Sequence, residues 1–253
     1  MQQLQADTLT VRVYENRALL GADAARMAAT TLRDLLSEKD VVNIIFAAAP
    51  SQNEFLATLA AEEDIDWQRV RAFHMDEYIG LAPDAVQRFG NFLRTKFFDR
   101  VPLREVHYLM GEAEDPEAEC RRYAELLLQY PPHIVFMGIG ENTHIAFNDP
   151  HVAHFDDPHL VKIVDLDEAC RQQQVNDGCF KTLHDVPRHA LTLTVPALMK
   201  AEQIFCMVPA KTKAQAIFRT LTEAITERYP STILRTHPNA TLFIDKDSAA
   251  LLR

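Results

Sequence analysis

Two continuous apolar runs constrain the fold of this chain more than any other feature. The run VVNIIFAAA covers Val41–Ala49, and the run HIVFM covers His133–Met137. A strand without polar alternation is buried on both faces, as interior strands of a parallel sheet are when helices cover the sheet on either side. Both runs are therefore predicted to be central strands of such a sheet.

Helical patterns alternate with these and other short apolar runs. The clearest helix is predicted over Asp115–Tyr130, where Asp115 can cap the first turn and Pro116 suits the position after it. Strand–helix alternation predicts one three-layer α/β/α domain over residues 1–253, with a Rossmann-like, mostly parallel sheet. Further strands are predicted at Thr10–Tyr14, Val70–Phe73, Val106–Met110, Leu160–Val164, Ala190–Val195, Ile204–Val208 and Thr241–Ile244.

Composition and charge exclude several classes of protein. Of the 253 residues, 47% are hydrophobic and 25% are charged, which are ordinary globular values and argue against a disordered or fibrous chain. The formal net charge is -10, and no Lys/Arg run occurs. A nucleic-acid partner is therefore not expected.

The sequence also predicts where the protein works. No apolar stretch approaches the ~18 residues that a transmembrane helix needs, so no membrane partner is expected. The polar segment Met1–Thr10 does not resemble a signal peptide. The four cysteines form no CxxC pair, which is typical of a reducing compartment. A cytoplasmic location is therefore predicted.

The chain carries no fingerprint of a bound cofactor. It has only seven glycines, and neither GxGxxG nor GxxxxGKS/T is among its motifs. The histidines outside the loop discussed below lack ligand spacing such as HExxH. Neither a cofactor nor a metal is therefore expected.

Four loops follow predicted parallel strands and are the places where a ligand is expected. In parallel sheets, ligands bind outside the carboxyl ends of the strands. The four loops are Ala47–Asn53, His74–Tyr78, Gly138–Pro150 and Pro209–Lys213. Most of them are rich in titratable or cationic groups, so a site for chemistry is predicted at this edge.

The loop Gly138–Pro150 brings a histidine together with acids. It contains Glu141, Asn142, His144 and Asp149. A histidine flanked by carboxylates can be held in one tautomer and act as a general base near neutral pH. The alternative is a polar turn in which the histidine only satisfies backbone groups.

Two adjacent acids, Asp76 and Glu77, follow the predicted strand Val70–Phe73. One side chain is expected to point into a cleft while the other faces outward. A partly desolvated carboxylate there has a raised pKa and can remove a proton next to a carbonyl. The alternative is a solvated loop with a helix cap.

Two of the loops lead into helices and are candidate anion sites. An ammonium at a helix N-terminus attracts phosphate, which makes Lys213 a candidate, although Lys211 is equally suited by its chemistry. In the loop Ala47–Asn53, small residues let a ligand approach the backbone. Ser51 can donate to an anion there, or cap the next helix together with Glu54.

These loops together resemble the glucosamine-6-phosphate deaminase (isomerase) family, which shares its fold with the 6-phosphogluconolactonases. The sequence MDEY at Met75–Tyr78 and the sequence GIGENTHIAFNDP at Gly138–Pro150 carry the resemblance. Further matching stretches span nearly the whole chain in the family's order. The lactonases usually lack both MDEY and the AFN-acid-P feature, so the resemblance favours the deaminases.

The resemblance implies conversion of glucosamine 6-phosphate to fructose 6-phosphate and ammonia. His144 matches the family's ring-opening histidine, and Asp76 matches the carboxylate that moves the C2 proton to C1. Asp149 matches the acid that follows the histidine. Because Asn142 stands where the family usually has Asp, either Asp149 or Glu141 is expected to support the histidine.

The resemblance also implies a phosphate site. Lys213 matches the family's phosphate-binding lysine, and Arg171 is the candidate for its arginine. The family's phosphate loop is rich in glycine, whereas Ala47–Ser51 contains none, and an activator-site arginine appears as Leu160, so no activator site is expected. The predicted substrate-binding residues are Ala48, Ala49, Ser51, Gln52, Glu77, Gly140, Thr143, Arg171 and Lys213.

Two other functions remain open from the sequence. The first is a lactonase or a sugar-phosphate isomerase of other specificity, and the second is a non-catalytic sugar-phosphate sensor. Asp76 and His144 favour catalysis, because a sensor needs no base at C2. In every case the partner is a small sugar phosphate, and the sequence leaves a homo-oligomer open.

Overall fold

The computed structural model describes residues 1–252 and places eleven strands and seven α-helices along the chain. The strands are β1 Gln2–Ala6, β2 Leu9–Tyr14, β3 Val42–Phe46, β4 Val70–His74, β5 Asp76–Tyr78, β6 Glu105–His107, β7 Ile134–Met137, β8 Val161–Asp165, β9 His189–Leu193, β10 Gln203–Val208 and β11 Ala240–Asp245. The helices are α1 Arg17–Glu38, α2 Asn53–Leu59, α3 Phe89–Lys96, α4 Pro116–Gln129, α5 Glu168–Asn176, α6 Val195–Met199 and α7 Ala214–Thr222.

The two apolar runs form neighbouring interior strands, as their composition predicts. The main sheet has eight strands in the order β1-β2-β11-β10-β7-β3-β4-β6, and β3 pairs with β7 in parallel, Ile44 opposite Ile134. Every residue of β3 and β7 is buried. Only β1 runs antiparallel to its neighbour in this sheet. The prediction of a mostly parallel sheet is therefore confirmed.

Alternate residues of β3 enter two separate hydrophobic cores. Ile44 and Phe46 lie in one core with Phe55 of α2. Ile45 lies in a second core with Tyr123 of α4. Since side chains of a strand alternate between its faces, helices cover the sheet on both sides, and the three-layer prediction is confirmed.

A second, three-stranded sheet departs from the sequence prediction. The strands β8 and β9, which the sequence assigns to the parallel sheet, pair antiparallel with each other, and β9 also pairs antiparallel with β5. In this register Asp76 lies opposite Thr192. The segment that was expected to be a loop after β4 is therefore a strand, and it fixes the direction of each acidic side chain on it.

Met75 joins the two sheets. Its backbone N–H donates to Phe46 of β3 at 3.2 Å, and its carbonyl accepts from Leu193 of β9 at 2.8 Å. The chain thus passes from the main sheet into the second sheet within one residue.

The first two helices pack tightly and place the Ala47–Gln52 segment. A Cβ at Gly21 of α1 would lie 2.6 Å from the Cβ of Glu54, so only glycine allows this approach. The expected cap by Ser51 is wrong. A 3₁₀ turn over Pro50–Gln52 precedes α2, and no side chain caps that helix.

Within residues 1–252, no helix combines the length and the apolar character that crossing a bilayer requires.

Candidate active site

One cavity lies at the carboxyl ends of β3, β4, β7 and β10, where the topology predicts a ligand site. It brings together residues from four separate loops. The predicted site residues that line it are Ala48, Ala49, Ser51, Asp76, Gly140, His144 and Lys213. The lining residues that the sequence reasoning missed include Arg17, Gln173, Gln174, Asp177 and Thr212.

Asp76 presents a buried carboxyl group to this cavity. Only 7% of the residue is exposed. Burial, and next the charge of Glu77, raise the pKa of Asp76 well above its ordinary value. A carboxylate whose pKa is raised is a stronger base than an ordinary one, which suits it to accept a proton.

His74 holds the backbone of Asp76 in place. The Nε2 of His74 accepts from the N–H of Leu109 at 2.9 Å, so Nδ1 carries the proton that bonds to the Asp76 carbonyl, also at 2.9 Å. Burial lowers the pKa of His74 to about 4, which keeps the ring neutral. The ring therefore supports the site without titrating in it.

Glu77 points away from the cavity and is completely buried, which corrects the expectation that it faces solvent. Its carboxylate accepts backbone N–H bonds from Tyr78, Phe89 and Gly90 at 2.9–3.1 Å, and Arg88 lies 3.7 Å away. It thus satisfies free N–H groups at the start of α3. Burial raises the pKa of Glu77 to about 7 despite these hydrogen bonds.

His144 lies on the loop after β7, above Gly140. A Cβ at Gly140 would fall 2.1 Å from the imidazole, so the glycine makes room for the ring. Thr143, just before the histidine, has a φ of 75°, which is strained for a β-branched residue. Strain of this kind persists only where the surroundings hold it, and here it supports a defined position for the ring.

Asn142 and Asp149 lie behind His144 and contact its Nδ1. The distance from Nδ1 is 2.7 Å to Asn142 Oδ1 and 3.2 Å to Asp149 Oδ1. Because Nδ1 is used in this way, Nε2 is the ring nitrogen that remains for a ligand in the cavity. Of the two acids that the sequence offers as a partner for the histidine, Asp149 makes this contact, whereas the backbone of Glu141 bonds to Gln173.

Asp149 is ionised although it is fully buried. Burial alone would raise its pKa, but hydrogen bonds from His144 and Asn142 and the backbone N–H of Asp167 hold that pKa below its ordinary value. A fixed negative charge therefore lies next to the imidazole.

Cys170 lies in the same cluster. The Sγ of Cys170 and ligand atoms of His144 and Asp149 lie within 4.8 Å of one another. Burial, and next the charge of Asp149, raise the pKa of Cys170 well above its ordinary value. The Cys170 thiol is therefore protonated and is a poor nucleophile.

Lys213 supplies a buried cation. It precedes α7, lines the cavity and is 7% exposed. Burial lowers its pKa, while the charges of Asp177 and Glu141 oppose that effect. Lys211, the alternative that the sequence left open, is exposed and lies outside the cavity. The structure therefore distinguishes the two lysines.

Arg17 adds a second cation beside the Ala47–Gln52 segment. Its Nε and Nη2 donate to the two carboxylate oxygens of Glu54 at 2.7 and 2.8 Å, and Nη2 also donates to the carbonyl of Pro50 at 2.9 Å. No motif marks this arginine, but its position after β2 is a signal for it. That strand runs parallel to β11, so the loop that follows it reaches the same edge of the sheet.

Several predicted substrate ligands lie outside the cavity. Arg171 lies on α5, and its guanidinium donates to the carbonyl of Val186 at 2.9 Å, whereas Gln173 and Gln174 of the same helix line the cavity. Gln52 is buried, and its amide donates to the carbonyls at the ends of β7 and β10 at 3.4 and 3.3 Å. Glu77 and Thr143 are also absent from the lining.

The cavity is therefore suited to bind a small anion and to transfer protons to and from it. It presents a carboxyl group of raised pKa, an imidazole of fixed orientation and two cations. These groups come from separate strands and loops, so their convergence is a property of the fold.

Known proteins resemble this chain over most of its length. The family model described as glucosamine-6-phosphate isomerases/6-phosphogluconolactonase matches residues 15–243. A glucosamine-6-phosphate deaminase of Exiguobacterium sp. is 33% identical over 228 residues, which cover 90% of this chain and 87% of the relative. The deaminase of Thermoanaerobacter pseudethanolicus is 32% identical over 236 residues, which cover 91% of each protein.

Solved structures share the fold. A monomeric glucosamine-6-phosphate deaminase superposes with a TM-score of 0.86 at 28% identity, covering 95% of this chain and 99% of that one. A 6-phosphogluconolactonase from Thermotoga maritima superposes with a TM-score of 0.78 at 19% identity, covering 94% and 100%, which shows the common fold alone. The chain therefore belongs to the glucosamine-6-phosphate isomerase/6-phosphogluconolactonase family.

Proposed function

We propose that this protein is a glucosamine-6-phosphate deaminase, which converts glucosamine 6-phosphate and water to fructose 6-phosphate and ammonia. The observation that carries the proposal is the placement of Asp76 and His144 in one cavity. Relatives that match nine-tenths of the chain bear the name of this activity. Both acid–base groups have a use in this reaction, because the sugar ring must open before a proton can leave C2.

Ring opening is assigned to His144. Its Nε2 accepts the proton of the anomeric hydroxyl group, the bond between C1 and the ring oxygen breaks, and the proton passes to that oxygen. The product is an open-chain aldehyde. The buried carboxylate of Asp149, 3.2 Å from Nδ1, stabilises the imidazolium that exists between the two transfers.

Asp76 is assigned the proton transfer from C2 to C1. Its carboxylate removes the C2 proton, the substrate's ammonium group supplies the proton that O1 takes up, and Asp76 returns its proton to C1. Water then hydrolyses the resulting C2 iminium to the ketone and releases ammonia. The raised pKa of Asp76 suits a group that must both take and give a proton.

The phosphate group is assigned to the cationic end of the cavity. Lys213 offers a buried ammonium, Arg17 a guanidinium, and Ser51 a hydroxyl group, and all three line the cavity. The loop Ala47–Ser51 has no glycine and contains a proline without an N–H, so side chains carry more of this binding than a glycine-rich loop would require.

The test is ammonia release by the purified protein. We expect stoichiometric ammonia and fructose 6-phosphate from glucosamine 6-phosphate, and no comparable hydrolysis of 6-phosphogluconolactone. Hydrolysis of the lactone without ammonia release would contradict the proposal. Binding of the sugar phosphate without turnover of either compound would instead indicate a sensor.

Two further expectations accompany the assignment. We propose that residues 1–253 act as a single domain, since the main sheet joins β1 near the start of the chain to β11 near its end. A cytoplasmic location is supported by the four cysteines, which are free thiols.

A further inference from the structure

The side-chain amide of Asn142 is held in one orientation. Its Nδ2 donates to Asp149 Oδ1 at 2.8 Å and to Asp167 Oδ2 at 2.9 Å, while its Oδ1 accepts the backbone N–H of His144 at 3.1 Å. An amide nitrogen can only donate, and a carboxylate can only accept. Turning the amide over would place its oxygen against two carboxylates and its nitrogen against an N–H.

This orientation fixes the protonation of the imidazole. His144 Nδ1 lies 2.7 Å from Asn142 Oδ1 and 3.2 Å from Asp149 Oδ1, and both of these atoms are acceptors. The proton therefore resides on Nδ1, and Nε2 keeps a free electron pair toward the cavity.

We propose that Asp167 is a positioning residue for catalysis, which fixes the Asn142 amide and thereby holds His144 as the tautomer with an unprotonated Nε2. The inference rests on the proposed function for its effect on turnover. Asp167 does not line the cavity and acts only through Asn142 and Asp149.

A second set of contacts ties Asp167 firmly to this cluster. Its backbone N–H donates to Asp149 Oδ2 at 3.1 Å, and its Oδ1 accepts from the N–H of Cys170 at 2.6 Å, which caps α5. The same carboxylate thus caps a helix with one oxygen and orients the amide with the other. The first turn of α5 is thereby fixed relative to the imidazole.

The arrangement also gives a reason for an amide at position 142. A carboxylate there would be the third one in contact, beside Asp149 and Asp167, and like charges at such distances repel strongly when they are buried. With an amide at position 142, the negative charge stays on Asp167. That charge orients the Asn142 amide, and the amide in turn orients His144. Asn142→Asp alone should therefore lower both activity and thermal stability.

The primary variant is Asp167→Asn. Asparagine still caps α5, but its own amide can turn an N–H toward Asn142 Nδ2, which favours inversion of the Asn142 amide. We expect kcat to fall at least about tenfold, as it does when a catalytic histidine is left in the wrong tautomer, with KM within about twofold. The ¹⁵N spectrum of the His144 ring, identified by its loss in His144→Gln, should shift toward the Nε2–H tautomer.

A matched control separates positioning from folding. It is Asp115→Asn, because Asp115 caps α4 through the N–H of Ala118 in the same way and lies outside the cavity. It should leave kcat and the His144 spectrum unchanged.

Two results would overturn the inference. They are an unchanged His144 tautomer in Asp167→Asn and an equal loss of kcat in Asp115→Asn. The spectrum is recorded without substrate. If Asp167→Asn shifts the tautomer of His144 but the wild-type protein releases no ammonia, the proposed function is refuted and the positioning of His144 by Asp167 still stands.

Discussion

The imidazole of His144 occupies space that a side chain on Gly140 would need, since a Cβ there would lie 2.1 Å from the ring. Gly140→Ala should therefore displace the ring, while the backbone at position 140 needs no special conformation. We expect kcat to fall at least about tenfold, because misplacement of a catalytic group by about an ångström costs up to about 100-fold. Steady-state kinetics with a thermal melt checks this, and a fully active alanine variant would contradict the ring position.

Asp76→Asn should remove the proton acceptor at C2 and keep the shape of the side chain. Turnover should fall about 100-fold or more, the usual range for loss of a general base, while substrate binding survives. Exchange of the C2 hydrogen with solvent measures this step directly. Exchange at the wild-type rate in the variant would rule out the assignment.

His144→Gln should affect only the opening of the ring. The variant should lose most of its turnover of the cyclic substrate and retain more with an open-chain analogue, because that analogue needs no proton transfer from the anomeric hydroxyl group. The ratio of the two kcat/KM values is the quantity to compare. An equal loss with both substrates would contradict the separation of roles between His144 and Asp76.

Lys213→Gln and Lys211→Gln form a matched pair. Removal of the buried ammonium should raise KM for glucosamine 6-phosphate and weaken inhibition by inorganic phosphate about tenfold or more, since charge-assisted bonds are the strong ones. Removal of the exposed Lys211 should change neither. Equal effects of the two substitutions would show that the cation acts only through the general field of the protein.

Glu77 should make the protein less stable as the pH rises. Its pKa is about 7 in the folded state, against an ordinary value of 4.5, so between these values the native state binds more protons than the unfolded state. The contribution of Glu77 to the free energy of unfolding is therefore largest below about pH 4.5 and decreases as the pH rises to about 7. Glu77→Gln should flatten this part of the stability curve, as measured by thermal melts from pH 4.5 to 8.

The interior strands could be predicted from sequence because burial on both faces is visible in consecutive residues such as Ile44 and Ile45. The second sheet could not, since β5 has three residues and pairs with β9, far away in the chain. This same pairing decides that Asp76 faces the cavity and that Glu77 faces the core. A loop interpretation cannot assign those two directions.

Residues that act through others were also hidden from the sequence. Asp167 contacts Asn142 only after α5 has packed against the loop that follows β7. Arg171 carries the right charge for an anion, but Gln173 and Gln174 are the residues of α5 that line the cavity. Which residues of a helix reach a site depends on its rotation about its own axis, and a short polar helix such as α5 has a weak apolar stripe from which to infer that rotation.

The backbone of Met75 has a mechanical consequence. The proposed proton acceptor for C2, Asp76, lies on the small sheet, and the proposed ring-opening imidazole of His144 lies on a loop of the large one, so their separation depends on how the two sheets are positioned relative to each other. Main-chain bonds from Met75 to Phe46 and Leu193 join the two sheets at this point, and no side chain takes part in them. Substitution of the Met75 side chain therefore leaves these bonds in place, and one sheet can slide past the other here only if a backbone hydrogen bond breaks.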